Sequence, residues 1–332
     1  MTIDSFRAMV IDEEDGKPAA SIKMLTRGDL PDHDVLVEIA YSGLNYKDGL
    51  AISGRQKIAR KVPLIAGIDL AGTVVESRDP RWAAGDRVMV NGWGLSETRD
   101  GGYSRYQRVN ADWLTRVPDV FGLDQAMAIG TAGYTASLCV DALETWGTIT
   151  TGSGEILVTG AAGGVGSVAI ALLSALGYSV VASTGRPAAT PYLTRLGATA
   201  VIDRNDLAVK GPPLQKERWS GVVDSVGSVT LVNALAQTVY GGAVAACGLA
   251  GGADLPGTVL PHILRGIALL GIDSVMALPA KRERAWDRLA RDLDLERLTT
   301  MTRIEPMSKL PELAHAIVDG RIQGRVVIDV TA

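Results

Sequence analysis

A glycine-rich segment constrains the fold of this chain more than any other feature. Residues 160–166 read Gly-Ala-Ala-Gly-Gly-Val-Gly, and they lie between an apolar strand pattern and an apolar helix pattern. In this context Gly163 lets the backbone approach a pyrophosphate, and Gly166 lets the helix pack close to the strand. The N-terminus of the helix adds unpaired N–H groups and positive potential. Although Ala161 replaces the first glycine of the usual pattern, the segment predicts a dinucleotide-binding turn.

Strands and helices alternate around this turn. The predicted strands are short apolar runs without polar alternation, as expected of strands buried on both faces of a sheet. They cover residues 156–159, 179–182, 201–203, 221–224, 243–247 and 269–272, and the intervening helices cover 165–176 and 191–196. This order predicts an α/β fold with a doubly wound parallel sheet.

The N-terminal region follows a different pattern. Short β-rich segments at 35–40, 71–75 and 87–90 end in Gly or Asp turns, which is typical of an antiparallel, barrel-like unit. A helical linker is predicted from about residue 123, and a turn and strand at 321–330 are expected to return to the N-terminal domain. A length of 332 residues also favours two domains.

The loop after the second predicted strand bears on the choice of nucleotide. An NAD site normally has Asp or Glu there, about 20 residues after the turn, to bind the ribose 2′-hydroxyl. Residues 182–186 read Ala-Ser-Thr-Gly-Arg instead. Arg186 can pair with a 2′-phosphate, Ser183 and Thr184 add hydroxyl groups, and Arg204 flanks the same end. The pattern favours NADPH; the alternative is that both arginines are solvated loop residues.

Composition narrows the class of protein. A formal net charge of -4 argues against nucleic acid or an anionic membrane as the main partner. The first residues lack the features of a secretory signal. We also find no apolar run near the roughly 18 to 20 residues that span a bilayer. We therefore expect a soluble cytoplasmic protein.

The candidate metal ligands are few. Cys139 and Cys247 each lie in an apolar stretch and form no CxxC pair, so both are interpreted as buried small hydrophobic residues. The three histidines are far apart in sequence and share no ligand spacing. No metal site is expected.

Further motifs resemble the medium-chain dehydrogenase/reductase superfamily. They are residues 67–72 (Gly-Ile-Asp-Leu-Ala-Gly), 85–88 (Gly-Asp-Arg-Val), 130–136 (Gly-Thr-Ala-Gly-Tyr-Thr-Ala), 195–198 (Arg-Leu-Gly-Ala) and 222–227 (Val-Val-Asp-Ser-Val-Gly). The zinc-binding branch has Gly-His-Glu where this chain has Gly67-Ile68-Asp69, and no cysteine precedes Cys139. The chain therefore resembles the zinc-independent reductases.

Within the zinc-independent reductases the chain is similar to the acrylyl-CoA reductase family. The similarity lies in residues 44–50, 63–72, 91–94, 183–186 and 324–327. It implies a GroES-like, mainly β catalytic domain (1–125 and 300–332) and a Rossmann NADPH-binding domain (126–299). It further implies an oxidoreductase acting on CH–CH bonds, which reduces the carbon–carbon double bond of acryloyl-CoA to propionyl-CoA. A homodimer is also implied. We expect subunit contacts along the edge strand near residues 266–275, since an exposed edge can pair with another chain.

The resemblance also implies which residues contact the cofactor. They are Tyr46, Gly163, Gly164, Val165, Gly166, Thr184, Gly185, Arg186, Arg204, Leu249, Ile263 and Ser274. Leu249 and Ile263 are equally compatible with a place in the core. At Asp319-Gly320 relatives often have Asn, so this contact is not carried over.

The proposed chemistry needs hydrogen-bond donors for a developing enolate rather than a nucleophile. Tyr46, whose phenol stays protonated near neutral pH, and Asn91 are the candidate catalytic residues. The alternatives are that Tyr46 only holds the cofactor and that Asn91 only forms a turn. Four cations at residues 55–61 are a candidate site for coenzyme A phosphates, or else a solvated face.

Two other functions remain open. One is an NADPH-dependent quinone or alkenal reductase of the same superfamily, and the other is a non-enzymatic NADPH-binding protein. Fold alone does not distinguish a thioester substrate from these alternatives.

Overall fold

The computed structural model describes residues 5–14, 16–147, 149–152 and 154–332. The strands are β1 (Phe6–Glu14), β2 (Lys17–Leu25), β3 (Val35–Gly43), β4 (Leu64–Ile65), β5 (Asp69–Ser77), β6 (Arg87–Asn91), β7 (Tyr106–Val109), β8 (Thr115–Arg116), β9 (Glu155–Val158), β10 (Ser179–Thr184), β11 (Ala200–Asp203), β12 (Trp219–Asp224), β13 (Thr238–Ala246), β14 (Ala268–Gly271), β15 (Thr302–Pro306) and β16 (Arg325–Asp329). The helices are α1 (Tyr46–Ile52), α2 (Leu123–Trp146), α3 (Gly164–Ala175), α4 (Thr190–Leu196), α5 (Ser228–Gln237), α6 (Leu260–Arg265), α7 (Pro279–Asp292), α8 (Leu295–Met301) and α9 (Leu310–Val318).

The chain divides into two compact units. The first comprises Met1–Thr131, Ser274–Glu283 and Thr302–Ala332, and the second comprises Ala132–Asp273 and Arg284–Met301. The domain boundaries predicted from sequence, at 125/126 and 299/300, differ from this division chiefly at Ser274–Glu283, which lies with the first unit. The assignment of domains by those boundaries stays a prediction.

The second unit contains a parallel sheet with strand order β11-β10-β9-β12-β13-β14, in which every neighbouring pair is parallel. Two halves wind outward from the β9/β12 pair, which confirms the predicted doubly wound α/β fold. The sheet is buried because its strands are apolar on both faces; Leu157, Val222 and Val244 belong to its core. Helix α4 ends where Gly197 adopts a left-handed conformation (φ 109°), as the sequence predicts.

The first unit is mainly β. Among the described residues it contains a sheet of order β2-β1-β4 and a larger one of order β15-β16-β3-β5-β6-β8, with β7 also paired to β3. Most pairs are antiparallel, whereas β15 and β16 are parallel. Strand β16 lies antiparallel to β3, with Val327 opposite Gly43. The C-terminal segment therefore returns to the N-terminal sheet, as predicted.

Helix α2 differs from the expectation that no apolar run approaches the length of a membrane span. It has 24 residues and is long and apolar enough to cross a membrane, judged by length and composition alone. However, 94% of its apolar stretch is buried within the protein. The helix is interrupted at Gly130, whose φ and ψ of 50° and −159° are not helical. A buried core helix can have the same length and composition as a membrane-spanning helix. Because Thr and Ser residues interrupt the apolar pattern of α2, the sequence does not show one long apolar run.

Candidate nucleotide-binding and active site

The candidate nucleotide site lies at one edge of the parallel sheet in the second unit. Strands β9 to β13 are parallel, so their carboxyl ends meet at the same edge, where ligands of open α/β sheets bind. The loops after these strands hold most of the cofactor residues predicted for this unit: 163–166, 184–186, Arg204 and Leu249. Topology thus brings together residues that are up to 86 positions apart.

The glycine-rich turn is tight enough to require its glycines. A Cβ on Gly166 would lie 2.6 Å from the Cα of Ala161 and 2.6 Å from the carbonyl oxygen of Gly160. Gly160 itself has a φ of 59°. Gly163 caps α3 in an extended conformation, so the first N–H groups of the helix have no intrahelical acceptor. This cradle fits a pyrophosphate.

Arg186 joins the loop after β10 to the glycine-rich turn. Its backbone N–H donates to Thr184 Oγ1 at 3.2 Å, and its Nη2 donates to the carbonyl oxygen of Ala162 at 3.4 Å. Partial burial lowers the pKa of the Arg186 guanidinium, Tyr192 opposes this shift, and the positive charge of Arg204 adds to it. An arginine remains cationic despite such a shift. A bound anion would stabilise it.

Arg204 lies against the same loop. A Cβ on Gly185 would be 2.3 Å from Arg204 Nε and 2.7 Å from its Cζ, so the guanidinium covers the Cα of Gly185. Arg204 therefore lies against the loop that carries Arg186. In this loop, residues 184–186, the sequence has no Asp or Glu. This pair of cations fits a 2′-phosphate better than a ribose hydroxyl.

The loops after β12 and β13 pack backbone against backbone. A Cβ on Gly248 would lie 2.3 Å from the carbonyl oxygen of Ser225, and the N–H of Gly251 donates to the carbonyl oxygen of Val226 at 2.7 Å. This packing leaves Leu249 54% exposed, and Ile263 on α6 is 68% exposed. Neither is a core residue, so that alternative interpretation is wrong. Their contact with the cofactor stays a prediction.

Asp224 lies at the end of β12, and the sequence pattern by itself predicts no role for it. It is fully buried and accepts hydrogen bonds from Thr159 Oγ1 (2.7 Å) and the N–H of Gly227 (2.8 Å). Burial raises the pKa of this carboxyl group. Asp224 thereby ties the strand that leads into the glycine-rich turn to the next loop at the sheet edge. The sequence signal that could have identified Asp224 is an acidic residue at the end of an apolar strand pattern.

The two cysteines, far apart in sequence, lie together in the structure. The Cys139 thiol contacts Cys247; this hydrogen bond and then burial raise the pKa of Cys139 well above its usual value. Cys247 Sγ also donates to the carbonyl oxygen of Asp224 at 3.3 Å. Cys139 is buried, as expected, whereas Cys247 is only half-buried.

Tyr46 is the first residue of α1 in the first unit. Asn45 precedes the helix, and its N–H donates to Asp48 Oδ2 at 2.9 Å in a capping box. The side chain of Tyr46 is exposed, and its hydroxyl makes no hydrogen bond within the described parts of the chain. The phenol is therefore available to a ligand.

Asp69 is a buried anchor beside this helix. Its Oδ2 accepts from Asn45 Nδ2 (3.0 Å) and from the N–H of Thr131 (2.9 Å), while its Oδ1 accepts from the N–H of Gly43 (2.7 Å). A Cβ on Gly43 would lie 2.9 Å from Arg325 Nη2 and 3.0 Å from Asp69 Oδ2. In the sequence, Asp69 stands out only as a departure from the zinc-binding pattern. Its structural role depends on contacts with residues up to 62 positions away.

Asn91 lies at the end of β6 and is 2% exposed. Its carbonyl oxygen accepts from Arg282 Nη1 at 2.6 Å. Its amide nitrogen Nδ2 is buried and has no hydrogen-bond partner among the residues that the structure describes. A buried donor of this kind costs about 1 to 3 kcal/mol unless a ligand accepts from it.

Ser274 lies beside Asn91. Gly92, with a φ of 77°, lets the backbone of residues 274–275 approach closely, since a Cβ there would be 3.0 Å from the carbonyl oxygen of Ser274. Arg282 Nη2 holds the same segment by donating to the carbonyl oxygen of Val275 at 2.7 Å. One candidate catalytic residue and one predicted cofactor contact are thus neighbours in the first unit.

The described residues contain no group of three or more His, Cys, Asp or Glu side chains placed to hold a metal ion.

Two family models match the chain. One, described as alcohol dehydrogenase GroES-like domain, matches residues 31–119, and the other, described as zinc-binding dehydrogenase, matches residues 164–291. Acrylyl-CoA reductase AcuI of Ruegeria pomeroyi is 52% identical over 331 residues, covering 98% of this chain and 100% of that protein. The crystal structure of Escherichia coli K-12 YhdH with bound NADPH has a TM-score of 0.95 and 49% identity, and the match covers 97% of this chain and 99% of that one.

A third relative carries another name. YhfP of Bacillus subtilis, a putative quinone oxidoreductase, is 45% identical over 327 residues, covering 97% of this chain and 98% of that protein. Its crystal structure with NAD bound has a TM-score of 0.94 and covers 98% of this chain and 99% of that one. Identity of this extent shows common family membership: the chain belongs to the medium-chain dehydrogenase/reductase superfamily and, within it, to the acrylyl-CoA reductase family.

Proposed function

We propose that this protein is an NADPH-dependent oxidoreductase that reduces the carbon–carbon double bond of acryloyl-CoA and releases propionyl-CoA. The observation that carries the proposal is 52% identity over 98% of the chain to a protein named acrylyl-CoA reductase. The residues of each unit agree with it, because the second unit offers a phosphate cradle and Asn91 in the first unit offers a buried hydrogen-bond donor. Fold likeness alone does not name a substrate.

The choice of NADPH is supported by the chain's own residues. Arg186 and Arg204 converge where an NAD site would carry an acid, and the YhdH structure holds NADPH. The YhfP structure holds NAD, which makes the 2′-phosphate contact the feature to test. The residues proposed to contact the cofactor are Tyr46, Gly163, Gly164, Val165, Gly166, Thr184, Gly185, Arg186, Arg204, Leu249, Ile263 and Ser274.

When bound, NADPH supplies the hydride that the β-carbon of the thioester accepts. Negative charge then develops on the thioester oxygen, where it needs preorganised donors. We assign Asn91 Nδ2 to this role because it is a buried donor without a partner in the described chain. The Tyr46 hydroxyl is the second candidate donor and the candidate source of the proton for the α-carbon.

Steady-state rates with NADPH test the proposal. Acryloyl-CoA, crotonyl-CoA, acrolein and a free quinone should be compared on purified protein with cofactor binding verified. We expect the highest kcat/KM with acryloyl-CoA. A preference for acrolein or the quinone would support the second candidate function, which the name of YhfP favours. Binding of NADPH without turnover of any acceptor would point instead to a non-enzymatic binding protein.

We also propose a homodimer that forms along β14. This strand lies at the edge of the parallel sheet, and an exposed edge can pair with another chain. Exposed apolar side chains, Val259 and Leu264, lie close to it in sequence. A cytoplasmic location belongs to the same proposal, because the nucleotide and the thioester are intracellular metabolites.

A further inference from the structure

A cleft in the first unit lies outside the residues assigned above. It has a cavity volume of about 120 Å³ and is bounded by residues 56–62 on one side and by the β1–β2 hairpin on the other. Sites that enclose a whole small molecule commonly have volumes of roughly 300 to 1,000 Å³, so this cleft suits a phosphate-bearing end rather than a whole ligand. The lining includes apolar side chains, among them Ile11, Ala51 and Ile58. The cleft is therefore large enough to hold part of a nucleotide.

Three of the five charged side chains that line this cleft are basic. Lys57, Arg60 and Lys61 line it, and none of them forms an ion pair within the described chain. Two acids also line it, but Asp12 is already paired with a lysine outside the lining, since its Oδ2 lies 2.6 Å from Lys23 Nζ. Glu13 is the remaining acid of the lining. Three cations against one uncompensated carboxylate favour an anionic ligand.

Arg55, the fourth cation of this loop, is already engaged. Its Nη2 lies 2.6 Å from Asp319 Oδ1, and it does not line the cleft. The hydrogen bond from Arg321, and then the contact with Arg55, lower the pKa of Asp319. In the structure, therefore, Arg55 is paired, whereas Lys57, Arg60 and Lys61 are available to a ligand. The sequence of residues 55–61 does not show this difference.

We infer that this cleft binds the phosphates of the coenzyme A moiety, with Lys57, Arg60 and Lys61 as the cationic groups. The inference rests on the proposed function, whose substrate carries phosphates at one end and the reacting acyl group at the other. The predicted phosphate contacts of NADPH are residues of the second unit, whereas these three cations belong to the first.

Helix α1 connects the cleft to a candidate catalytic residue. Tyr46 begins the helix and Ala51, five residues later, lines the cleft. At about 1.5 Å per residue the two positions are roughly 8 Å apart along the helix axis. A long thioester can therefore hold its phosphates at the cleft while its acyl end lies toward Tyr46.

Charge reversal tests the inference by kinetics. We expect the double variant Lys57→Glu/Lys61→Glu to raise KM for acryloyl-CoA roughly tenfold or more, since each lost charged contact is worth about that factor. The same variant should leave the KM for acryloyl-N-acetylcysteamine, which lacks the phosphates, within about twofold. Lys210→Glu, an exposed lysine in the second unit, is the matched control and should change neither value.

Calorimetry separates this inference from the proposed function. Coenzyme A and 3′-dephospho-coenzyme A are titrated into the protein saturated with NADP⁺, so that the nucleotide site does not compete. Coenzyme A should bind more tightly than the dephospho form, and the double variant should lose that difference. If the protein reduces acryloyl-CoA but the double variant keeps its KM and affinity, the cleft assignment is wrong. If no thioester is reduced but coenzyme A binding depends on Lys57 and Lys61, the reaction is wrong and the cleft assignment stands.

The milder variant Lys57→Gln/Lys61→Gln guards against loss of folding. It removes the two charges without adding new ones, and it should raise the KM for acryloyl-CoA by a smaller factor than charge reversal. An unchanged KM in a folded glutamine variant would overturn the inference.

Discussion

Arg186 is the side chain that we propose distinguishes two closely related nucleotides, NADPH and NADH. It reaches from the loop after β10 to the carbonyl oxygen of Ala162, and Arg204 covers the neighbouring Gly185. Both groups are cations, and the guanidinium fork of arginine matches the oxygens of a phosphate. The 2′-phosphate is the group by which NADPH differs from NADH, so the two nucleotides should respond differently when Arg186 is removed.

We expect Arg186→Ala to weaken binding of NADPH by about 1 to 3 kcal/mol, the value of a lost charged hydrogen bond, and to change NADH binding much less. Dissociation constants for both nucleotides, measured by fluorescence titration, check this. Arg195→Ala, which removes an exposed arginine of α4, is the control and should alter neither constant. Equal losses for NADPH and NADH would overturn the 2′-phosphate assignment.

At the scale of the element, two buried acidic side chains, Asp48 and Asp69, accept hydrogen bonds at the start of helix α1. Asp48, near the start of the helix, accepts hydrogen bonds from the N–H groups of Asn45 and Ile68, both at 2.9 Å. Burial, and then the charge of Asp69, raise the pKa of Asp48 to about 7. The folded protein therefore holds a proton on Asp48 over a pH range in which an unfolded chain has released it.

Stability should depend on pH accordingly. Because the folded-state pKa is raised, the contribution of Asp48 is complete below pH 4 and is lost as the pH rises through about 7. The free energy of unfolding should fall by at most about 1.4 kcal/mol per pH unit from this group. Urea unfolding of the wild type and of Asp48→Asn between pH 4 and 8 measures the effect, since the variant should lack this part of the slope. Parallel curves for the two proteins would contradict the prediction.

The junction of β9 and α3 requires a residue without a side chain at position 166. A methyl group on Gly166 would lie 2.6 Å from backbone atoms of the turn, which cannot move away as a flexible side chain can. We expect Gly166→Ala to destabilise the protein by about 1 to 3 kcal/mol and to weaken nucleotide binding. Thermal unfolding and nucleotide titration measure the two effects. Gly28→Ala is the control, because its nearest contact would be 3.7 Å away; a similar loss in both variants would refute the packing explanation.

At the scale of the whole molecule, the edge strand β14 and the apolar side chains near it are the basis of the proposed dimer. We expect Leu264→Glu, which places a charge on an exposed apolar position, to shift the protein toward monomer. Sedimentation velocity over a range of concentrations measures the mass. Val209→Glu, at an exposed apolar residue far from β14 in sequence, should leave the mass unchanged. A monomeric wild type would refute the proposal.

Much of the fold follows from local patterns in the chain. The parallel strands β9 to β14 are predicted because each is a short apolar run bounded by turn residues, and the glycine-rich turn because its spacing suits a strand, a turn and a helix. The strand at 325–329 was also predictable as the return to the first unit. The length of α2 was not, since the polar residues within it mask an apolar helix that is broken at Gly130.

The sequence alone determined the class of fold, the nucleotide-binding turn and the charge at residue 186, because these depend on residues that are neighbours in the chain. Only the tertiary structure decided which distant groups meet: Gly92 with Ser274, Asp69 with Thr131, Cys139 with Cys247, and Arg55 with Asp319. The physical reason is that such contacts depend on how sheets pair and helices pack, which local propensity does not encode. The pairing of Arg55 thus leaves Lys57, Arg60 and Lys61 as the cations of the cleft.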